Sequence, residues 1–450
     1  MPARHLVIIG NGISGITLAR HVRKMDSDTR ITVISGESEY FFSRTALMYV
    51  FMGHMKFEHT QPYESWFWEK NRIELKKAWV QKVEFGERTL VFDSGEKLTY
   101  DVLVIATGSK PNKFGWPGQD LKGVQGLYSR QDLDQMEKNT HQGVKRAVIV
   151  GGGLIGIEMA EMLAYKKIPV TFLVREKGFW DNVLPKEESE LVGRHIREHH
   201  IDLRLETELK EILSDSGGRV RAVITSKGEE ISCEFVGLTA GVSPNVDFLR
   251  NTELKVNRGV KVDAFFQTNI PDVYAIGDCA EFENPPAVDR RTIEQVWYTG
   301  RMHGETLAHN LCKKPVPYQP GIWFNSAKFL DIEYQTYGTV PSTWKDSEVN
   351  SFYWEHSSGK VCFRMLMDQD GRILGVNNFG FRLRHEFFDQ AVREKWSGEK
   401  VIAKLDKANF DPEFFAPYYL EIQKAFKAQF GGNFQPAKKS FIQKLFGASV

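Results

Sequence analysis

Cysteine is scarce in this chain: Cys233, Cys279, Cys312 and Cys362 are the four in 450 residues, they stand far apart, and no Cys-x-x-Cys occurs. This excludes zinc ribbons, iron–sulfur ligation within the chain and a vicinal redox disulfide. Each cysteine is expected as an isolated buried thiol, and no metal ligand is assigned. An excess of charge of either sign is missing too, with 59 Lys and Arg against 58 Asp and Glu. Without a basic bias to drive contact with phosphate backbones, no nucleic-acid partner is expected. Long apolar runs are also absent: mean hydropathy is −0.36, and no stretch approaches the ~18 residues that span a bilayer, so no transmembrane segment is expected. The first residues enter a strand pattern directly, without the charged segment, apolar core and cleavage site of a secretory signal, and a cytoplasmic protein is expected. The length suits about three domains.

What the chain does have is two glycine turns of one design, "HLVIIGNGISGITLAR" and "RAVIVGGGLIGIEMAE". In each, an apolar run of strand character meets Gly-x-Gly-x-x-Gly and helix-forming residues follow at once. The first glycine permits the tight turn, the second lets backbone approach a pyrophosphate, and the third lets helix pack on strand. Phosphate then sits on the free N–H groups and positive end of the helix. Gly10, Gly12 and Gly15 form the first turn; Gly151, Gly153 and Gly156 form the second.

Strand–helix–strand punctuation recurs around them. "RITVISGE" reads as a second strand ending near Glu37, followed by a helix-like "SRTALMYVFMG". A hairpin pattern follows in "LVFDSGEKLTYDVLVIATGSKP", with Ser94-Gly95 as its turn. After the second glycine turn come strands "VTFLVRE" and "IDLRLET", a hairpin with exit strand in "RVRAVITSKGEEISCEFVGLTAG", and "DVYAIGDCAE" running into a turn. The prolines of "KKPVPYQPG" mark a domain boundary. Beyond it "AKFLDIEYQTYG", "VNSFYWEH" and "VCFRMLMDQDGRILGVNNFG" read as antiparallel strands, with Asp370-Gly371 as a turn, and a helical tail closes the chain.

Together with "ATG" at Ala106–Gly108, "TAGVSPN" at Thr239–Asn245 and "AIGDCAE" at Ala275–Glu281, the two turns resemble the flavoprotein reductases with two dinucleotide-binding domains. That family includes pyridine nucleotide–disulfide oxidoreductases, ferredoxin and rubredoxin reductases and the large subunit of assimilatory nitrite reductase. The resemblance is strong over about residues 4–325 and looser over 326–405. It implies an α/β fold with two Rossmann-like domains, the nucleotide domain inserted in the FAD domain, and an α+β C-terminal domain. The boundaries expected are 1–117 and 244–320 for FAD, 118–243 for NAD(P)H, 321–405 for the C-terminal interface domain and 406–450 for a helical extension. Two cofactors, FAD and NADPH or NADH, must meet face to face, hence two turns.

The resemblance also implies roles residue by residue. Gly10, Gly12, Ser14 and Gly15 would lie against FAD, with Glu37 on its ribose hydroxyls, Arg44 near it and Val80 lending backbone to adenine. Thr107, Gly108 and Asp278 would approach the flavin, the last on the ribityl chain. Gln295 and Val296 open a helix whose N-terminal dipole favours the anionic reduced flavin. On the nucleotide side stand Gly151, Gly153, Ile155, Gly156, Arg175 and Gly241. Glu158 falls at a family position close to the nicotinamide, although an ordinary helix glutamate accounts for it almost as well. No general base is needed and none is assigned.

Two departures sharpen the reading. NADH enzymes usually carry an acid at the end of the strand after the second turn, where this chain has Val174 followed by Arg175; that resembles NADPH users, because a 2′-phosphate needs cations. Glu176 leaves NADH open. The disulfide reductases carry cysteines on the helix after their second strand, and "FFSRTALMYVFMG" has none. Reduced flavin must then pass electrons directly to an external acceptor, an iron–sulfur carrier or redox subunit by resemblance, with a homodimer possible through the C-terminal domain. Two other functions stay open. One is a membrane-surface quinone reductase using the basic, apolar tail "PAKKSFIQKLFGASV". The other is a slow-turnover flavoprotein acting through partner binding. In "FDPEFFAPYYLEIQKAFKAQFGG", with Asp411 and Pro412 as cap and first turn, the aromatic groups either close a core gap or dock a partner.

Overall fold

The structure is a computed structural model that describes residues 4–141, 143–288, 290–410 and 416–431. Asp411, Pro412, Phe414, Phe415 and the tail 436–450 lie outside the described residues. The chain divides into two compact units, one of residues 1–175 and 201–320, the other of residues 176–200 and 321–450.

The first unit holds two five-stranded parallel sheets. In the first, His5–Ile9 is flanked by Arg30–Ser35 and Val102–Ile105, with Ile73–Lys77 and Val273–Ala275 at the edges. In the second, Ala147–Val150 lies between Val170–Leu173 and Phe235–Leu238, with Asp202–Arg204 and Val124–Gln125 outermost. The two central strands are buried along their whole length, so they read as continuous apolar runs instead of alternating ones. The hairpin around Ser94-Gly95 pairs Thr89–Phe92 with Lys97–Thr99 and ends there. Val102–Ile105, contiguous with it in sequence, joins the first parallel sheet.

The second unit is built on a five-stranded antiparallel sheet in the order Phe324–Phe329, Ile332–Gly338, Ile373–Phe379, Cys362–Met367, Asn350–Glu355. Gly371, at φ +75, supplies the left-handed turn between two of its strands. Helix Tyr419–Phe430 closes this unit's core: Ile422 and Phe426 are buried, and the Phe426 ring lies 5.1 Å from that of Phe352. Gln423 donates to the Ile402 carbonyl at 2.9 Å. The aromatic groups of this helix thus serve packing within the chain, with Phe430 left partly exposed. At the heart of the unit Arg364 is buried against Glu188 at 2.9 Å and Glu187 at 2.6 Å.

Candidate functional site

Both glycine turns are built identically at the backbone level. The Gly10 N–H donates to the Ile34 carbonyl at 2.8 Å and the Gly151 N–H to the Leu173 carbonyl at 3.0 Å, each tying the turn to the next strand. Both first glycines have positive φ, +122 and +113. A Cβ on Gly10 would fall 2.1 Å from the Ala106 oxygen, and one on Gly151 would fall 2.8 Å from the Thr239 carbonyl and the Ala240 nitrogen. Here the "ATG" and "TAG" segments cross over the first glycine of each turn. The third glycines, Gly15 and Gly156, would place a Cβ 2.1 and 2.3 Å from the carbonyl oxygens of Gly10 and Gly151. Helix and turn touch backbone to backbone there.

The middle glycines differ in kind. Nothing lies within 4 Å of a Cβ built on Gly12 or Gly153. Packing therefore does not require glycine at either place, and what the missing side chains leave is room in front of a helix end. Those helices, Ile13–Met25 and Leu154–Tyr165, have no side-chain cap and no acidic residue in the first turn. Their first intrahelical bonds are donated by Ile16 to Gly12 and by Ile157 to Gly153, which leaves the earlier N–H groups facing outward at the positive end of each helix. Room, unspent donors and favourable dipole together fit a pyrophosphate at each turn. Ile155 and Glu158 are half-buried on the second helix. The Ser14 hydroxyl lies beside Gly277 and Gly300, where built Cβ atoms would meet it at 2.3 and 2.9 Å.

After the first sheet's second strand, Glu37 and Arg44 come together. The guanidinium forks onto the carboxylate at 2.8 and 2.7 Å, and Glu37 also accepts the Arg130 N–H at 2.8 Å. Burial works against the Arg44 charge, and the Glu37 carboxylate more than offsets it, so the guanidinium pKa is raised. Arg44 donates in addition to the Tyr128 carbonyl at 2.6 Å and lies over the Tyr128 ring, 4.4 Å from its centroid. Val80 begins the strand Val80–Glu84. Its neighbour Trp79 covers Gly36, where a Cβ would fall 2.1 Å from the indole.

Asp278 follows Gly277, itself at φ +73, at the end of the Val273–Ala275 strand. Ser109 donates to its carboxylate at 2.9 Å and Gln295 donates to the Ser109 hydroxyl at 2.8 Å. The Tyr128 hydroxyl lies 3.4 Å from the same carboxylate oxygen and accepts the Ser109 N–H at 3.0 Å. Burial raises the Asp278 pKa, against the Ser109 bond and the Arg44 charge. Expected residues Glu37, Arg44, Asp278 and Gln295 are thus joined in one network through two that sequence reasoning passed over, Ser109 and Tyr128. Their signals were present: Ser109 adjoins "ATG", and Tyr128 precedes the Ser129/Asp132 capping box that fixes its helix.

The Thr107 hydroxyl donates to the Asn245 carbonyl at 2.8 Å, and the Gly108 carbonyl accepts the Asn245 N–H at 2.9 Å. Gly108 and Gly241 both have positive φ. From these motifs the chain enters the antiparallel ribbon of Ser109–Pro111 with Val242–Pro244. Val296 caps helix Trp297–Cys312, again without a side-chain hydrogen bond. At the second turn a Cβ on Gly152 would meet Val174 at 2.8 Å, and Arg175 follows directly.

Thiols contribute nothing reactive. Cys279 is wholly buried beside Asp278, and burial pushes its pKa up to about 11. Burial pushes Cys233 up to about 12 and raises Cys312 and Cys362 as well. All four stay protonated near neutrality, and all four are free.

Two parallel sheets, each bearing a glycine turn with an open helix end, define the class: an α/β protein with paired dinucleotide-binding folds. The chain belongs to the pyridine nucleotide-disulphide oxidoreductase family, whose model matches residues 4–304. It is 26% identical over 93% of its length to the assimilatory nitrate reductase electron transfer subunit of Bacillus subtilis (strain 168), and spans about half, 52%, of that relative. To the 5,5'-dehydrodivanillate O-demethylase ferredoxin reductase subunit of Sphingobium sp. (strain NBRC 103272 / SYK-6) it is 30% identical, over 75% of this chain and 82% of the relative. The NAD-dependent persulfide reductase of A. fulgidus has the same fold, with a TM-score of 0.81 at 22% identity, over 95% of this chain and 84% of that one. Among the described residues no helix is long and apolar enough to cross a membrane.

Proposed function

We propose that the chain is an FAD-dependent NAD(P)H oxidoreductase that passes electrons to an external iron–sulfur carrier or redox subunit without a disulfide relay. The observation that carries this reading is the pair of matched turns, each with open space before an uncapped helix, in a chain whose thiols are scattered and held protonated. The relative named as a ferredoxin reductase subunit supports the choice of acceptor. On this reading residues 1–117 and 244–320 form the FAD domain, 118–243 the NAD(P)H domain, and the protein works in the cytoplasm.

FAD, when bound, supplies a centre that takes a hydride from NAD(P)H and releases electrons singly. The protein's part is placement and electrostatics. The N–H groups after Gly12 and Gly153 hold the two pyrophosphates. Glu37, already oriented by Arg44, offers its remaining lone pairs to ribose hydroxyls, and Asp278, fixed by Ser109, does so for the ribityl chain. The helix opening at Val296 stabilises negative charge at its N-terminus. Arg175 would meet the 2′-phosphate if NADPH is the nucleotide, with Val174 in place of the acid that would repel it.

Purification tests this directly. The protein should be yellow, its flavin should bleach on adding NAD(P)H and recover on adding a ferredoxin, and a variant with all four cysteines replaced should keep NAD(P)H–ferricyanide turnover within a few fold. A colourless protein that takes up no FAD would overturn the proposal, and loss of flavin reduction in an FAD-loaded cysteine-free variant would overturn its thiol-free part.

A further inference from the structure

In the second unit the helix Lys186–Glu198 brings His195 and His199, its C-terminal cap residue, to one face at i and i+4. The turn between strands Phe324–Phe329 and Ile332–Gly338 brings Asp331 to meet them. One carboxylate oxygen, Asp331 Oδ1, contacts His195 Nε2 and lies 3.3 Å from His199 Nε2. One ligand atom from each residue lies within 4.8 Å of the other two.

The hydrogen bonds around the cluster orient its rings for an ion. His199 Nδ1 lies 3.0 Å from the His195 carbonyl oxygen, to which it can only donate, and Nε2 is the ring nitrogen that faces Asp331. His195 is 1% exposed and its Nδ1 has no hydrogen-bond partner. The nearest carboxylate, Glu198, is 3.6 Å from that nitrogen, with Lys360 Nζ 3.8 Å from the same Glu198 oxygen. If His195 Nε2 binds a metal, its Nδ1–H points toward a carboxylate, as outer partners of metal-bound histidines do. Asp331, 61% exposed, is free to adjust, and it opens the cluster to solvent on one side.

The geometry points to a binding site for one divalent transition ion of the zinc class, held by His195 Nε2, His199 Nε2 and an Asp331 oxygen. Around a tetrahedral ion with bonds of about 2.0–2.2 Å, donor atoms stand roughly 3.3–3.6 Å apart. The His199–Asp331 separation already has that value, and Asp331 is the exposed member of the three. Two imidazoles and one carboxylate suit zinc and its neighbours over calcium or magnesium, which prefer all-oxygen shells. Three protein ligands leave the fourth position to water on the exposed side. Such an ion would staple residues 186–200 to the hairpin of the antiparallel sheet, two segments far apart in sequence within one unit.

The untagged full chain, stripped with chelator, would be titrated with Zn²⁺ by calorimetry and with Co²⁺ by visible absorption, beside His199→Ala and Asp331→Asn. Both substituted positions are partly exposed, and circular dichroism checks that each variant is folded. Expected is one ion per chain with a tetrahedral cobalt spectrum, affinity reduced roughly tenfold or more in each variant, and a higher thermal midpoint with Zn²⁺ in the wild type alone. Binding that is absent, or equal in wild type and both folded variants, would overturn the site.

Discussion

The two glycine turns share a backbone and differ in several of the side chains around it. In both, the first glycine is bonded to the neighbouring strand, is crossed by a Gly-containing segment and has positive φ, and the third is in backbone contact with the first. They diverge one residue along. Asn11 fills the second position of the first turn and donates to the Ser38 carbonyl at 3.0 Å, whereas Gly152 makes room there for Val174. The next strand then delivers a carboxylate paired to an arginine in the first case, and an aliphatic residue followed by Arg175 in the second. The first turn is also backed by helix Trp297–Cys312, which approaches through Gly304, where a Cβ would fall 2.5 Å from the Ser14 carbonyl oxygen. The two turns thus share glycines and an open helix end, and they part in the residues after the following strand, where a preference for one dinucleotide over the other would be set.

The comparison breaks most severely at the third glycines. Gly15→Val and Gly156→Val each force a side chain into a backbone carbonyl, at a cost of several kcal/mol. Both variants should be insoluble or unfolded by circular dichroism; a folded Gly15→Val protein would show that the helix can retreat. The middle glycines should separate the two turns. Gly12→Glu and Gly153→Glu project into open space, so both fold, but the first should lose FAD while the second stays yellow and loses reduction by NAD(P)H. If either variant loses both functions, the turns are not independent.

A smaller effect is expected at the nucleotide end. Arg175→Ala removes a charge-assisted contact of roughly 1.5–3 kcal/mol, so the KM for NADPH should rise about ten- to hundredfold more than that for NADH. Equal changes would deny Arg175 a part in reading the phosphate. The smallest effect concerns Asp278, which has a burial-raised pKa. A carboxyl whose folded pKa exceeds its unfolded value favours the fold in acid and loses that contribution as pH rises through the folded value. The FAD-free Asp278→Asn protein should therefore gain stability over wild type at pH 7, the gain shrinking toward acid, while binding FAD more weakly. Parallel urea titrations at pH 4 and pH 7 read the difference; a gain that grows toward acid would reverse the assigned sign.

Sequence alone determined what depends on neighbours along the chain. The two glycine turns, the strands leading into them, the Ser94-Gly95 and Asp370-Gly371 turns and the absence of a paired cysteine were legible because each is a rule about spacing. So was the change of texture after Pro320, where polar residues alternate with apolar ones in strands such as Ile332–Gly338. Tertiary structure decided the rest. That Val102–Ile105 leaves its hairpin for the interior of the first sheet is settled by its pairing with His5–Ile9 and Val273–Ala275, strands far from it in the chain. Ser109 and Tyr128 enter the Asp278 network because the chain returns to this point from three separate places. The Ser14 hydroxyl meets Gly277 and Gly300 from two other parts of the chain. The aromatic residues of Tyr419–Phe430 found their partner in Phe352, and His195 and His199 met Asp331 across more than 130 residues. Such convergence is a property of packing, in which chain separation plays no part, and no local pattern can announce it.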